Sequence, residues 1–224
     1  MADKIAGYAE QIVNVLRAAP QQTSPYRHWR LSGVLPEAAV DALNTQQLAA
    51  PSWQGADGRR AWNNDRVFVD QAMQRNLPET AALAEALQSA DVLAAVEDQC
   101  ELDLTGLYLR IEYCMDSQGF WLEPHTDLGV KRLTLQVYCA RDAEASGWGT
   151  SIYDNDRQWA GNMDATFNNA LMFVPGSDTW HGFEARAIDG VRRSMIINYV
   201  TADWQNRQEL AFPDRPVPPR HQRQ

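Results

Sequence analysis

The sequence predicts a mostly β protein in which an N-terminal layer of helices covers an all-β core of sandwich or barrel type. Before Asp103 the chain holds helix-forming segments, and residues 78–98 are rich in Ala, Leu and Glu. After Asp103, short apolar runs alternate with turn residues, which is typical of such a core. The runs are 106–114, 132–140, 149–153, 169–174, 179–184 and 191–201.

Local patterns also predict the elements of the first half. Residues 4–18 repeat apolar side chains at helical spacing, and Pro20 ends this helix. The remaining elements expected before residue 78 are a strand at His28–Leu31, a helix from Pro36 to about Leu48, and a strand at Asn64–Asp70.

We expect residues 1–212 to form a single domain. Within it, residues 1–103 would supply the helical layer and outer strands, and residues 104–204 would form the core that carries the site. Residues 213–224 are rich in proline and polar side chains, which favours a disordered tail.

Composition excludes several classes of protein. The formal net charge is −9, which argues against nucleic-acid binding. No apolar run approaches the length of a membrane span, and the first residues do not resemble a signal peptide. The cysteines Cys100, Cys114 and Cys139 are odd in number and unclustered, which fits core packing in a reduced, cytoplasmic protein. Oligomeric state does not follow from the sequence.

Two segments carry metal-ligating side chains. His125 and Asp127 form a His-x-Asp pattern, in which both side chains share one face of an extended segment. His181 follows 56 residues later, after a Pro-Gly turn. Two histidines and one carboxylate are the facial triad of non-haem iron sites, which leaves open positions on the metal. A structural zinc site would normally fill all four positions.

Arg192 begins an alternating apolar run, eleven residues after His181. A guanidinium at this point could bind a carboxylate through two parallel hydrogen bonds. Arg193 would face the opposite side of the same strand.

These motifs together resemble a known superfamily. From about Tyr108 to Thr201 the chain is similar to iron(II)- and 2-oxoglutarate-dependent oxygenases of the prolyl-hydroxylase-like branch. The matching segments are EPHTD, KRLTLQVYCA, GWGTSIYD, NALMFVPGSDTWHGFEA and GVRRSMIINYV. The resemblance implies a double-stranded β-helix, which is a cupin-like jelly roll.

The resemblance also implies the chemistry of the site. His125, Asp127 and His181 would be the catalytic iron ligands, and Arg192 would pair with the C5 carboxylate of the co-substrate 2-oxoglutarate. The other residues expected near this co-substrate are Tyr138, Ser194 and Tyr113. Dioxygen would be consumed, and succinate and carbon dioxide would be released. Halogenating relatives lack the carboxylate ligand, so Asp127 favours hydroxylation.

The substrate is expected to be a polar small molecule, such as an amino acid, a sugar or a natural-product intermediate. Aromatic and charged residues near the motifs are the candidates for its pocket, namely Trp121, Glu123, Lys131, Arg132, Gln136, Trp148 and Trp180. Repair oxygenases of nucleic acids carry a second arginine six residues after the first, and here that position is Asn198.

Three alternatives stay open: a hydroxylase of a peptidyl residue, a cupin-like metalloenzyme that does not use 2-oxoglutarate, and a binding module without catalysis. The loops Gly147–Thr150 and Gly55–Asn64 would distinguish a small substrate under a lid from a peptide in a channel.

Overall fold

A computed structural model of the chain describes residues 1–46, 66–127 and 129–223. Two antiparallel sheets form the core. Within the described residues, the larger sheet has seven strands and the smaller has four. The predicted helical layer on a β core is confirmed, and the arrangement of the sheets is that of a double-stranded β-helix.

The strands of the large sheet are β1 Gln21–Gln22, β2 His28–Ser32, β3 Val67–Phe68, β4 Tyr108–Asp116, β6 Lys131–Tyr138, β9 Asn169–Phe173 and β11 Arg192–Val200. Those of the small sheet are β5 Leu122–His125, β7 Ser151–Tyr153, β8 Trp159–Asn162 and β10 His181–Phe183. The strand order is β1-β2-β9-β6-β11-β4-β3 in the large sheet and β5-β10-β7-β8 in the small one. The sequence did not predict β1, β5 or β8. Of the strand expected at Asn64–Asp70, Val67 and Phe68 pair with β4, and residues 64 and 65 lie outside the described residues.

The helices pack together on the outer face of the large sheet. They are α1 Ala2–Ala18, α2 Glu37–Asn44, α3 Gln71–Asn76, α4 Pro78–Leu87 and α5 Ala90–Cys100. Helix α2 ends before the expected Leu48, which lies outside the described residues. Within the described ranges, no helix is both long and apolar enough to cross a membrane.

Alternation along the long central strands separates two environments. On β4, Leu109, Ile111 and Tyr113 join the core shared with the helices. Their neighbours Glu112 and Cys114 face the other way, into a cavity between the sheets. The apolar side chains thus attach the helical layer, and the polar side chains line the site.

Residues 213–223 pack against the rest of the chain, where the sequence predicted a disordered tail. Val217 is buried, and its backbone N–H donates to Leu107 O over 2.8 Å. Arg223 makes two hydrogen bonds to Glu97, at 2.7 and 2.8 Å, and both side chains are almost fully buried. Prolines suit this extended path, and the buried ion pair and Val217 anchor it to the helical layer.

The three cysteines are buried free thiols, as expected. Burial raises the pKa of Cys100 and of Cys139 to about 12, which keeps both thiols protonated. Cys114 differs because it lines the cavity.

Candidate metal centre and its cavity

The three predicted metal ligands meet at one point. His125 on β5 lies directly opposite His181 on β10 in the small sheet, which brings the two imidazole rings to 4.3 Å between centroids. Asp127 follows β5 by two residues, and its carboxylate oxygens lie 3.9 Å from His125 Nε2 and 3.7 Å from His181 Nε2. One ligand atom from each residue falls within 4.8 Å of the others, so a single ion could contact all three.

Backbone carbonyls orient both imidazoles. His125 Nδ1 lies 3.0 Å from Glu123 O, and His181 Nδ1 lies 2.9 Å from Thr179 O. A carbonyl only accepts, so each Nδ1 carries the proton and each Nε2 presents a lone pair to the centre. This is the tautomer that allows each imidazole to bind a metal through Nε2.

Gly182 allows the small sheet to bring these histidines together. A Cβ atom at this position would lie 2.6 Å from Leu122 O on β5, closer than real Cβ atoms approach. Only glycine therefore fits beside His181 at this separation of β10 and β5.

The third ligand is held by two further side chains. Lys131 Nζ donates to Asp127 Oδ1 over 2.8 Å, and Thr134 Oγ1 donates to Oδ2 over 3.0 Å. Asn198 Nδ2 in turn donates to Thr134 Oγ1 over 3.0 Å. Burial alone would raise the pKa of Asp127, but the neighbouring Lys131 ammonium opposes this effect, and the pKa lies well below its usual range. The carboxylate is thus ionised and fixed in orientation.

The metal centre opens into a cavity of about 720 Å³ between the two sheets. Its large-sheet wall is formed by inward-facing side chains of β4, β6 and β11. In the part of the chain that the structure describes, four cationic and four acidic side chains line the cavity, which are Arg66, Arg110, Lys131, Arg192, Glu112, Asp116, Asp127 and Glu209. The cavity is therefore not a closed apolar pocket, and its charged walls suit a polar ligand.

Arg192 lies in this cavity, as predicted, and is almost fully buried. Its Nε donates to Trp148 O over 2.7 Å, and its Nη1 donates to Asp116. The other terminal nitrogen, Nη2, makes no hydrogen bond to any described residue. The guanidinium is therefore held on two sides and keeps one donor group for a ligand.

Two other residues predicted for the co-substrate are placed beside Arg192. Ser194 lines the cavity on the same face of β11, and its buried Oγ has no hydrogen-bond partner among the described residues. Tyr138 is the cross-strand neighbour of Ser194, and its ring centroid is 6.0 Å from Arg192 Cζ. Its hydroxyl accepts from Thr150 N over 3.1 Å, and burial raises its pKa.

Tyr113 is not brought to the site, and its expected co-substrate contact is not supported. It pairs with Met195 of β11, so both side chains point to the helical layer. Its hydroxyl donates to Asn44 Oδ1 over 2.6 Å. Side chains alternate between the two faces of a strand, and Tyr113 follows the inward-facing Glu112 directly, so it points outward.

None of the five residues favoured for the substrate pocket lines the cavity. Glu123 and Arg132 are exposed, and Trp121 is half-buried away from it. Trp180 is half-buried and packs under the Arg157 guanidinium, 4.3 Å from its ring centroid. Trp148 is buried and contributes its carbonyl to Arg192. Of the wider set, Lys131 and Gln136 do line the cavity.

The cavity also contains residues that the sequence did not single out. Arg110 and Glu112 lie inward on β4, and Asp116 ends the same strand beside Arg192. The sequence YLRIEYCMD does contain a signal, since charges at alternate positions of an apolar strand indicate a polar inner face. Two loops were expected to cover the site. Of the loop Gly147–Thr150, Thr150 lines the cavity. The loop Gly55–Asn64 lies outside the described residues.

No family model matches the chain, and no curated protein matches its sequence. Solved structures do match it. A prolyl 4-hydroxylase from Phytophthora capsici is 14% identical with a TM-score of 0.59, and the alignment covers 90% of this chain and 66% of that one, just under two thirds of its length.

Two further structures agree. A prolyl hydroxylase from Trichoplax adhaerens, in complex with a hypoxia-inducible-factor peptide fragment, is 12% identical with a TM-score of 0.56 and covers 89% of this chain and 91% of that one. The non-haem α-ketoglutarate-dependent epimerase SnoN of nogalamycin biosynthesis is 16% identical with a TM-score of 0.52 and covers 88% and 84%. At these identities the likeness shows a common fold.

Proposed function

We propose that the chain is an iron(II)- and 2-oxoglutarate-dependent dioxygenase that hydroxylates an unactivated C–H bond of a polar small molecule. One observation carries the proposal. The Nε2 atoms of His125 and His181 and the carboxylate of Asp127 converge at a cavity whose buried end carries Arg192. The fold shared with prolyl hydroxylases supports it.

The donor set fits iron(II). Two neutral imidazoles and one carboxylate occupy three positions on one side, which leaves the remaining positions for a co-substrate and dioxygen. The described residues place no thiolate in the cluster, whereas closed zinc sites commonly use thiolates. The hydrogen bonds to both Nδ1 atoms and to both Asp127 oxygens support a site prepared for a metal.

The residues around Arg192 fit a dicarboxylate. Arg192 Nη2 and Ser194 Oγ are donors without partners among the described residues, and both belong to the buried end of the cavity. One carboxylate of 2-oxoglutarate would bind there, and its other end would extend toward the metal.

In the mechanism, the bound iron and 2-oxoglutarate supply the oxidation, in which one oxygen atom of dioxygen enters the substrate and the other enters succinate. The chain does the remaining work. His125, Asp127 and His181 set the coordination geometry, and Thr134 keeps the Asp127 carboxylate from rotating. Arg192 fixes the orientation of the co-substrate.

Hydroxylation is proposed over halogenation because Asp127 supplies the third ligand. A halide would need that position. The described surroundings of Asp127 favour its carboxylate there, since Lys131 and Thr134 each contact one of its oxygens.

A hydroxylase of a peptidyl residue is the second candidate. The observation that favours it is the fold likeness to prolyl hydroxylases, one of which was solved with a peptide. A third candidate is a metalloenzyme of this fold that does not use 2-oxoglutarate. The ion pair between Arg192 and Asp116 favours it, because Arg192 already has a counter-ion.

Two measurements test these candidates. Calorimetric titration of the anaerobic iron-loaded protein with 2-oxoglutarate should show one site. Absence of binding would favour the third candidate, the metalloenzyme that does not use 2-oxoglutarate. Aerobic incubation with 2-oxoglutarate and a metabolite extract should then yield succinate and a metabolite heavier by one oxygen atom. A parallel incubation contains added proteins in place of the metabolites. Oxygen found only on those proteins would favour the peptidyl substrate. The His181→Ala variant is the inactive control.

A further inference from the structure

Arg110 forms a second guanidinium site in the cavity, separate from Arg192. It is almost fully buried, although it lies on the cavity wall. Its Cζ atom lies 4.9 Å from the ring centroid of Phe68 and 4.7 Å from that of Trp204. The guanidinium is therefore clamped between two aromatic rings, which restricts its motion before any ligand binds.

Acidic side chains hold two of its three nitrogens. Nε donates to Glu209 over 2.7 Å, and Nη1 lies 2.6 Å from a Glu112 oxygen. Nη1 also donates to Asn198 Oδ1 over 3.4 Å. The remaining amino group, Nη2, has no hydrogen-bond partner among the described residues. Arg110 is thus oriented like Arg192, with one nitrogen kept for a ligand.

The position of Arg110 relates it to the metal centre. Asn198 on β11 pairs with Arg110 on one side and with Thr134 on the other, and Thr134 contacts the metal ligand Asp127. Two strand spacings separate Arg110 from Thr134, which is about 10 Å between their Cα atoms. Arg192 lies on β11 six residues before Asn198, at the buried end of the cavity. If Arg192 holds 2-oxoglutarate, a group held by Arg110 would therefore belong to a second molecule.

The balance of charges in the cavity indicates the net charge of the molecule that Arg110 would bind. Among the described residues, the four cationic side chains that line the cavity are matched by four acidic ones. Iron(II) and the 2-oxoglutarate dianion would also cancel. A substrate with net charge would add an uncompensated charge to a half-buried site, whereas a zwitterion would not. Glu209 offers oxygens with spare lone pairs next to Arg110.

We infer that the substrate of the proposed oxygenase is a small zwitterionic amino acid, and that Arg110 binds its carboxylate while Glu209 faces its ammonium group. This inference rests on the proposed function and deepens it. Arg110 acts in substrate recognition, and Phe68 and Trp204 act as positioning residues that hold its guanidinium.

The test is calorimetric titration of the anaerobic protein loaded with iron(II) and 2-oxoglutarate. The probes are free L-amino acids, their carboxamides and their N-acetyl derivatives. At least one free amino acid should bind, and its carboxamide and its N-acetyl derivative should each bind about tenfold more weakly or worse, because each loses one charge-assisted contact. If the free amino acid and its carboxamide bound equally well, the proposed role of Arg110 would be overturned. If the free amino acid and its N-acetyl derivative bound equally well, the proposal that the substrate is a zwitterion would be overturned.

Variants locate the carboxylate. Arg110→Lys retains the charge between Glu112 and Glu209, so the fold should persist, but its ammonium cannot reproduce the planar donor fork. Affinity for the amino acid should fall at least about tenfold, affinity for the carboxamide should change little, and 2-oxoglutarate binding should be retained. Arg215→Lys is the matched control, since Arg215 also stacks on a ring, Phe212, and pairs with an acid, Glu85, away from the cavity.

The outcomes separate this inference from the proposed function. Failure to bind 2-oxoglutarate in the absence of any amino acid would count against the function itself. Normal 2-oxoglutarate binding with no amino acid bound, or with Arg110→Lys binding the amino acid like the parent, would overturn only the inference. Should Arg110→Lys fail to fold, the comparison of acid with carboxamide on the unmodified protein still decides it.

Discussion

Asp116 and Arg192, which are 76 residues apart in sequence, form an ion pair in which both side chains are almost fully buried. They are cross-strand partners at the ends of β4 and β11. Burial raises the pKa of Asp116, and Arg192 opposes that shift. The proposed co-substrate would thus share Arg192 with a carboxylate of the chain.

Asp116→Asn should therefore strengthen 2-oxoglutarate binding. Removing a negative charge beside Arg192 removes its repulsion of the incoming carboxylate, and we expect a gain of about tenfold. The ligand-free protein should lose on the order of 3 kcal/mol, because Arg192 loses its buried counter-ion. Calorimetric titration and chemical unfolding measure the two effects. Asp189→Asn, at an exposed position, is the control; weaker binding in Asp116→Asn would contradict the assignment of this end of the cavity.

Arg192→Ala should weaken 2-oxoglutarate binding, and Arg193→Ala should not. Neighbouring residues on a strand face opposite sides, and only Arg192 lines the cavity. Leaving the co-substrate carboxylate without its partner should cost about 3–5 kcal/mol of binding free energy. Titration of both variants under the same conditions compares them directly. Similar losses in the two variants would show that Arg192 does not hold the co-substrate.

His181→Ala should abolish the stabilisation of the protein by iron(II). The variant keeps the fold, because the imidazole lies at the edge of the cavity and not in the apolar cores, but it loses one of three ligands. Thermal unfolding under anaerobic conditions, with and without iron(II), measures the effect. His221→Ala, at an exposed position of the C-terminal segment, should retain the full response. An unchanged response in His181→Ala would remove this residue from the metal site.

Thr134→Val should lower iron affinity about 10- to 100-fold, the range seen when an outer partner of a metal ligand is lost. The threonine hydroxyl holds Asp127 Oδ2, and valine has nearly the same shape without the hydrogen bond. Thr134→Ser should restore most of the affinity because it keeps the hydroxyl. Metal titration followed by unfolding curves distinguishes positioning from a general loss of stability. Equal affinities in the Val and Ser variants would rule out this positioning role.

Arg223→Ala should destabilise the fold, by about 3 kcal/mol, because Glu97 would remain buried without its partner. Arg220→Ala is the matched comparison in the same segment. Its pair with Asp98 is exposed on both sides, so solvent screens it and the loss of stability should be much smaller than in Arg223→Ala. Urea unfolding measures both. Equal small effects would indicate that the C-terminal segment does not anchor the helical layer in solution.

Local sequence determined much of the site. The His-x-Asp spacing placed His125 and Asp127 together, and alternation separated Arg192 from Arg193 and aligned Ser194 with Arg192. Strand alternation and helical periodicity act over a few residues, so one sequence suffices to recognise them. The same patterns gave the helical layer and most strands of the core.

The tertiary structure decided which side chains meet across the sheet. Register, and not proximity in sequence, directs Tyr113 to the helices and places Asp116 beside Arg192. Arg110 likewise meets Glu209 from 99 residues away. A shift of one residue in register would exchange the two faces of β4, and no local pattern specifies that choice. The sequence therefore determined the metal ligands, and packing decided the charged walls that select what binds beside them.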